Sequence, residues 1–284
     1  MEGTGGPAQT DGFSNVVPEF DGAVERLVEL LQRRNSGPSA VSEDDAALTQ
    51  LLHRMSGILE VEEQRYEREC SDPTVDQRDS FPIGRLLGLL HEQQNLEHFA
   101  DTLIDCAVSV ALGTPEETTA LAATRFLVAS APWLASLRDE MRPDSLLEDR
   151  TLHRLIDWIK TAEVPKSSHA SGLLGVALLD RDVADTVVRW GLAPVLLKRL
   201  RLLTTDAPNL LAAETQRLVG TDDPNAADPE TGLPIRELLS REQRHTIGCL
   251  AALGDYQEVR CSLSQHGSRA GGRRRCLRAF AYAA

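Results

Sequence analysis

The chain has 284 residues, 42% hydrophobic and 26% charged, which is enough apolar material for a real core and too much for a chain disordered throughout. Aromatic residues make up only 4%, against an abundance of Leu, Ala, Glu and Arg; these lose little rotamer freedom in a helix, so the composition argues against a β architecture. A formal charge of -13 disfavours nucleic acid and anionic lipid as partners, because both are held by neutralising phosphates with Lys and Arg.

Residues 1–20 carry Gly, Pro, Ser and Thr without periodicity and are expected to be a disordered lead-in. Val24, Leu27, Val28, Leu30 and Leu31 then mark a short amphipathic helix that Asn35-Ser36-Gly37-Pro38 stops. Ser42 and Asp45 give a capping signal for a long helix reaching about Glu69, with Leu48, Leu51, Leu52, Met55, Ile58, Leu59 and Glu62 along one face. Asp72-Pro73 breaks it, and Ser80-Phe81-Pro82 restarts a helix carrying Leu86, Leu87, Leu89 and Leu90. Asn95 opens the next, with Phe99, Leu103, Cys106 and Val110 inward.

At Thr114-Pro115-Glu116-Glu117 a capping threonine, a proline at the first helical position and a reaching glutamate predict a helix start. Leu121, Phe126 and Leu127 continue it, and beyond Pro132 so do Leu134 and Leu137. Leu152, Leu155, Ile156 and Ile159, with Trp158, form the next stripe. Pro165 is expected to start a helix through Leu179, Asp182 another, and Leu192 to Leu203 one more, whose Lys198, Arg199 and Arg201 sit where the C-terminal end of a helix dipole favours cations. Thr204 to Gly232 reads as acidic loop around a short helix at Leu210 to Leu218, and Pro234 begins a last periodic stretch.

Helices of this length are marginal alone and must cover one another's apolar stripes. They recur in groups roughly every 40 residues, near the period of armadillo and HEAT units. The fold expected is all-α, an armadillo/HEAT-like helical superhelix with disordered N- and C-terminal tails. Its parts are the lead-in 1–20, an armadillo-like helical domain 21–204, an acidic loop or linker 205–232, a continuing helical repeat 233–259, and a basic tail 260–284, disordered or aberrant.

Chemistry-bearing motifs are sparse. The seven histidines, His53, His91, His98, His153, His169, His245 and His266, form no zinc-like spacing with the five scattered cysteines, Cys70, Cys106, Cys249, Cys261 and Cys276. That odd cysteine count, in a chain too large to need stapling, fits a reducing compartment. His153-Arg154-Leu155-Ile156-Asp157 superficially resembles a kinase catalytic loop, but the aspartate is misplaced and the segment reads as helix. Glu60, Glu62, Glu63, Glu67 and Glu69, interleaved with Arg65 and Arg68, read as a solvated helix face. Gly272-Arg273-Arg274-Arg275 is a short basic run of the kind used for nuclear import or anion contact. Catalytic, cofactor-binding and metal residues are therefore expected to be none. The one site motif is for helix packing: Ser171, Gly172 and Gly175, small residues that let a neighbouring helix come close and so offset the helix-weakening effect of glycine. The N-terminus lacks a secretory pattern and no apolar run approaches the ~18 residues that span a bilayer, so a soluble intracellular protein with no membrane partner is expected.

Three segments together carry a family resemblance: Leu51-Leu52-His53-Arg54-Met55-Ser56 leading to Glu62-Glu63-Gln64-Arg65-Tyr66; Trp158 to Leu202 with Ser168-His169-Ala170-Ser171-Gly172-Leu173-Leu174-Gly175; and Leu250 to Glu258 with Leu253-Gly254-Asp255-Tyr256-Gln257-Glu258. In order and approximate spacing they resemble the N-terminal region of the Vpr-binding protein family, substrate receptors of cullin-4 RING ubiquitin ligases. The resemblance covers about residues 45–205 and 232–259. It implies an armadillo-like helical domain, a protein-interaction scaffold in ubiquitin-dependent turnover, cullin-4 ligase components and substrates as partners, and residence in the nucleus or cytoplasm. Family members also have a WD-repeat propeller that docks on the ligase adaptor; no counterpart lies in this sequence, and after Val259 it leaves the family pattern. Adaptor docking is therefore not implied, and a truncated, non-functional product is one alternative reading. The other is a serine/threonine protein kinase, an activity attributed to the family that no motif here supports.

Overall fold

A computed structural model of the chain describes residues 13–36, 41–70, 76–92, 96–108, 116–137, 144–161, 163–254 and 256. Among them are thirteen α-helices and no strand; the only pairing of extended backbone is an isolated bridge between Ala227 and Pro234. The expected tail 260–284, most of the lead-in and the Thr114-Pro115 start lie outside the described residues, as do the side chains of Ser42, Phe99 and Val110.

Helix α1 spans Phe13–Ser36 and α2 Val41–Glu69. The lead-in expected through residue 20 is thus already helical from Phe13. Phe20 is fully buried and extends the stripe Val24, Leu27 and Leu31 back by one turn. Pro18 stands inside the helix, where it forgoes one ladder hydrogen bond to the Ser14 carbonyl, a cost that burial of Phe20 and the stripe after it offsets. Ser42 lies inside the first turn of α2 rather than ahead of it. A 3-10 turn, Arg78–Ser80, leads into α3, Pro82–His91, with its proline in the first turn. Helix α4 is Leu96–Val108 and α5 Glu116–Ala129.

The helix expected to run on past Pro132 breaks instead, and α6 is a separate Ala131–Ser136 with the proline near its start. Proline lacks the N–H that would continue the α5 ladder, and the Ser130 hydroxyl donates to the Phe126 carbonyl at the break, 2.8 Å away. Helix α7, Asp144–Leu147, precedes α8, Asp149–Thr161, whose Leu152, Leu155, Ile156, Trp158 and Ile159 are all buried. Helices α9, Lys166–Ala177, and α10, Arg181–Arg189, follow. The cap of α10 is Asp180, not Asp182: its carboxylate accepts from the backbone N–H of Asp182 at 2.9 Å and of Val183 at 3.2 Å.

Helix α11 is Leu192–Thr205, α12 Ala207–Val219 and α13 Ile235–Ala252. The stretch expected to be mostly loop is therefore half helix, and α12 ends on Gly220, whose positive φ of 69° suits the C-terminal cap. Only the segment between Gly220 and Pro234 is irregular.

Packing follows a succession in which α1 lies on α2, α2 on α5, α5 on α9, α9 on α13 and α13 on α11, with α4 against α5 and α8 against α9. One apolar core runs through these contacts from Phe20 to Leu253. A second, small core of Val164, Leu203, Ile235, Leu238 and Leu239 lies under Leu210, Leu211 and Leu218 of α12.

Candidate functional site

Helix α5 is buried nearly all round: Thr119 to Leu127 are all buried, Arg125 among them with its side chain only 5% exposed. A guanidinium in that position cannot reach water and must be paired inside the protein. Its Nε and Nη2 donate to the two oxygens of Glu60 on α2, both at 3.0 Å, a bidentate fork. Its Nη1 donates to the Thr231 carbonyl at 3.0 Å and lies 3.3 Å from His53 Nδ1. Glu60 Oε1 also meets Arg241 Nη1 of α13 at 3.0 Å, and Arg241 Nε donates to Glu237 at 3.1 Å. Five parts of the chain thus converge on one charge cluster: α2, α5, α13, the turn at Asp228–Thr231 and, through its electrostatic effect on His169, α9.

Three imidazoles surround the cluster, and each is driven toward its neutral form. Burial, then the charge of Arg125, lowers the pKa of His53; burial and again Arg125 push His169 well below the ordinary range. Burial brings His245 down to about 4. The partners fix two tautomers. Arginine only donates, so His53 Nδ1 accepts from Arg125; the Ser168 carbonyl only accepts, so His245 Nδ1 donates to it at 3.0 Å. Asp228 is buried, and its Oδ2 accepts from the Thr231 backbone N–H at 2.8 Å and hydroxyl at 2.6 Å, closing the turn that offers the Thr231 carbonyl to Arg125.

A second buried ion pair stands beside the first. Arg199 of α11 forks onto Glu242 of α13 with both contacts at 2.7 Å and side-chain exposures of 3% and 0%. Of the three cations near the end of α11, Lys198 and Arg201 are exposed, while Arg199 turns inward onto a carboxylate. Consecutive residues of α13, Arg241 and Glu242, tie it to α2 on one side and α11 on the other.

The helix-packing motif lies on α9 against α13. Ser171 is fully buried and its hydroxyl donates to the Ser167 carbonyl at 2.7 Å. A Cβ added at Gly172 would stand 2.8 Å from Val128 Cγ1 and 3.0 Å from the His245 ring, closer than side chains tolerate. At Gly175 the nearest atom would be Cys249 Sγ at 3.8 Å, an ordinary contact. Close approach is needed at 172 and not at 175.

Other polar arrangements are structural. His153 lies on α8, exposed and stacked on Trp190 with ring centroids 4.0 Å apart, and Asp157 pairs with Lys160 at 3.3 Å, so the kinase-like run is a helix face. The Ser136 hydroxyl has Trp133 O at 2.6 Å and His91 Nε2 at 2.8 Å. With its single proton on the shorter bond, the histidine donates to it and does not activate it. Cys249 is buried with its thiol pushed up to about 12 by desolvation, the opposite of a reactive thiolate. Among the described residues no group of three or more His, Cys, Asp or Glu is placed to hold a metal ion, and no helix is long and apolar enough to cross a membrane.

Local spacing does not reveal the Arg125 cluster, and its member Glu60 is expected from the sequence to lie on a solvated face. Glu60 has a side chain only 9% exposed, and Glu62, expected both on the inward stripe of α2 and among the solvated acids, is buried. The available signal was Arg125 itself, a lone cation within the otherwise apolar or small-residue run from Ala120 to Val128. The cluster binds helices together through paired charges, and the hydroxyls of Ser56, Thr124 and Ser171 donate to carbonyls of their own helices. No protein-family model matches the chain.

Proposed function

We propose that the chain is a non-catalytic protein-interaction scaffold, an armadillo-like superhelical segment similar to the helical N-terminal part of a cullin-4 ligase substrate receptor and acting in protein ubiquitination and turnover. The observation that carries the reading is where the resembling segments fall. Leu51 to Tyr66 lies on α2, Ser168 to Gly175 on α9, and Leu250 closes α13. Those helices, far apart in sequence, meet through α5 around Arg125 and at Gly172. Residues that share a family pattern and also meet in space are what a common fold requires.

The helix order supports the superhelical form, since α2, α5, α9 and α13 pack in succession, each on the next, as stacked repeats do. Such stacks bury a continuous core and leave extended outer faces for other proteins. Proximity labelling in cells, with the chain fused to a biotin ligase, tests the function. Enrichment of cullin-4, its adaptor or their substrates is expected in nucleus or cytoplasm; labelling indistinguishable from a helical protein of equal size sinks the proposal.

A further inference from the structure

Amine chemistry is confined to few positions on this chain. Of its 30 Lys and Arg residues, 27 are Arg and three are Lys: Lys160, Lys166 and Lys198. Guanidinium stays protonated and is not acylated, whereas a lysine Nζ in its neutral form is a competent nucleophile. All three lysines lie among the described residues, and their surroundings differ. Lys166 on α9 is ion-paired with Glu117 of α5 and its side chain is only 22% exposed, so the amine is held between two packed helices. Lys160, in the last turn of α8, is 55% exposed and paired with Asp157 at 3.3 Å. Lys198 on α11 is exposed and has no ion pair or hydrogen bond with the described residues. One helical turn further, Leu202 is 37% exposed and offers an apolar contact beside that amine.

We infer that Lys198 is the principal acceptor on this chain for acyl transfer from a thioester donor, either acetyl or ubiquitin, with Lys160 second and Lys166 protected. The neutral Nζ attacks the thioester carbonyl, the C–N bond forms as the C–S bond breaks, the thiolate leaves, and the surplus proton on nitrogen passes to solvent. Protection of Lys166 comes from the fold, because its amine is held by Glu117 of α5 and its side chain meets little solvent. The ubiquitin donor rests on the function proposed above; the acetyl donor does not.

The test uses the full chain and a small acyl probe, sulfosuccinimidyl acetate at substoichiometric dose, with labelling read site by site by mass spectrometry. In urea the three lysines should label alike. In the folded chain Lys166 should label about tenfold more slowly than Lys198, with Lys160 between them. Equal labelling of Lys166 and Lys198 in the folded chain overturns the inference. Two further arms separate the donors: acetyl coenzyme A, and ubiquitin with its activating and conjugating enzymes. A ubiquitin adduct lost in Lys198→Arg and kept in Lys166→Arg supports the ubiquitin donor. An adduct undiminished in Lys198→Arg overturns the assignment of Lys198. Acetylation at Lys198 without any ubiquitin adduct assigns the acetyl donor and tells against the ligase reading, while leaving the amine ranking in place.

Discussion

Replacing Arg199 with Met keeps the length and apolar stem of the side chain but strips the guanidinium from Glu242, whose own side chain is 0% exposed. The carboxylate then remains in the interior between α11 and α13 with two charge-assisted hydrogen bonds of 2.7 Å lost. Breaking a buried pair from one side costs about 3–5 kcal/mol, because the surviving charge stays desolvated and unpaired. For a chain of this size that is a fall in Tm of roughly 10 °C. Replacing both partners, Arg199→Met with Glu242→Leu, removes the stranded charge as well and should recover most of the loss, since well-packed apolar pairs often equal a buried ion pair. Urea unfolding followed by circular dichroism on the wild type, both single variants and the double variant gives the cycle directly. A coupling of about 2 kcal/mol or more is expected. Single variants each costing under about 1 kcal/mol, as a surface pair would, refute the reasoning.

The glycines of α9 should separate. Gly172→Ala drives a Cβ to 2.8 Å from Val128 Cγ1 and should destabilise by about 1–3 kcal/mol in the same urea assay. Gly175→Ala meets nothing nearer than 3.8 Å and should stabilise by about 0.5–1 kcal/mol, because alanine is the better helix former. Acid should weaken the fold through its buried imidazoles: His245 has its folded pKa lowered to about 4 from 6.5, so between those values the unfolded chain binds more protons than the folded one. Stability from this group is complete above the higher value and is lost as pH falls toward the lower; His53 and His169 act in the same sense. Urea midpoints should therefore drop between pH 7 and pH 4.5, and His245→Gln should flatten the drop; an unchanged slope contradicts the assignment. Asp180→Ala removes the carboxylate that accepts from two N–H groups of α10 and should lower stability by about 1 kcal/mol.

The helical class was legible because its signal is local. Leu152, Leu155, Ile156 and Ile159 recur at helical spacing and are all buried, and Pro82 starts α3 from its first turn. The misreadings came where a local signal had a non-local answer. Arg125 finds Glu60 at a separation of 65 residues and Thr231 at 106, and no spacing rule links positions so far apart. Arg199 stands between basic neighbours that are exposed, so only the arrival of Glu242 from 43 residues away shows that it turns inward. The Gly, Pro, Ser and Thr of the first twenty residues show no periodicity and so concealed the first turns of α1, although Phe20 sits one helical step before Val24. Within 205–232 the prolines and aspartates flanking α12 were read as loop, yet Pro208 falls in the first turn of the helix and Gly220 caps its end.

If other proteins grip the folded helical array, quantitative affinity isolation from cells should distinguish the intact chain from Gly172→Leu, which forces a branched side chain into the α9–α13 contact. Cullin-4 ligase components are expected on the intact chain and should be lost from the variant in proportion to its loss of helical packing. Equal recovery on both, or no such component on the intact chain, would contradict binding by the folded array.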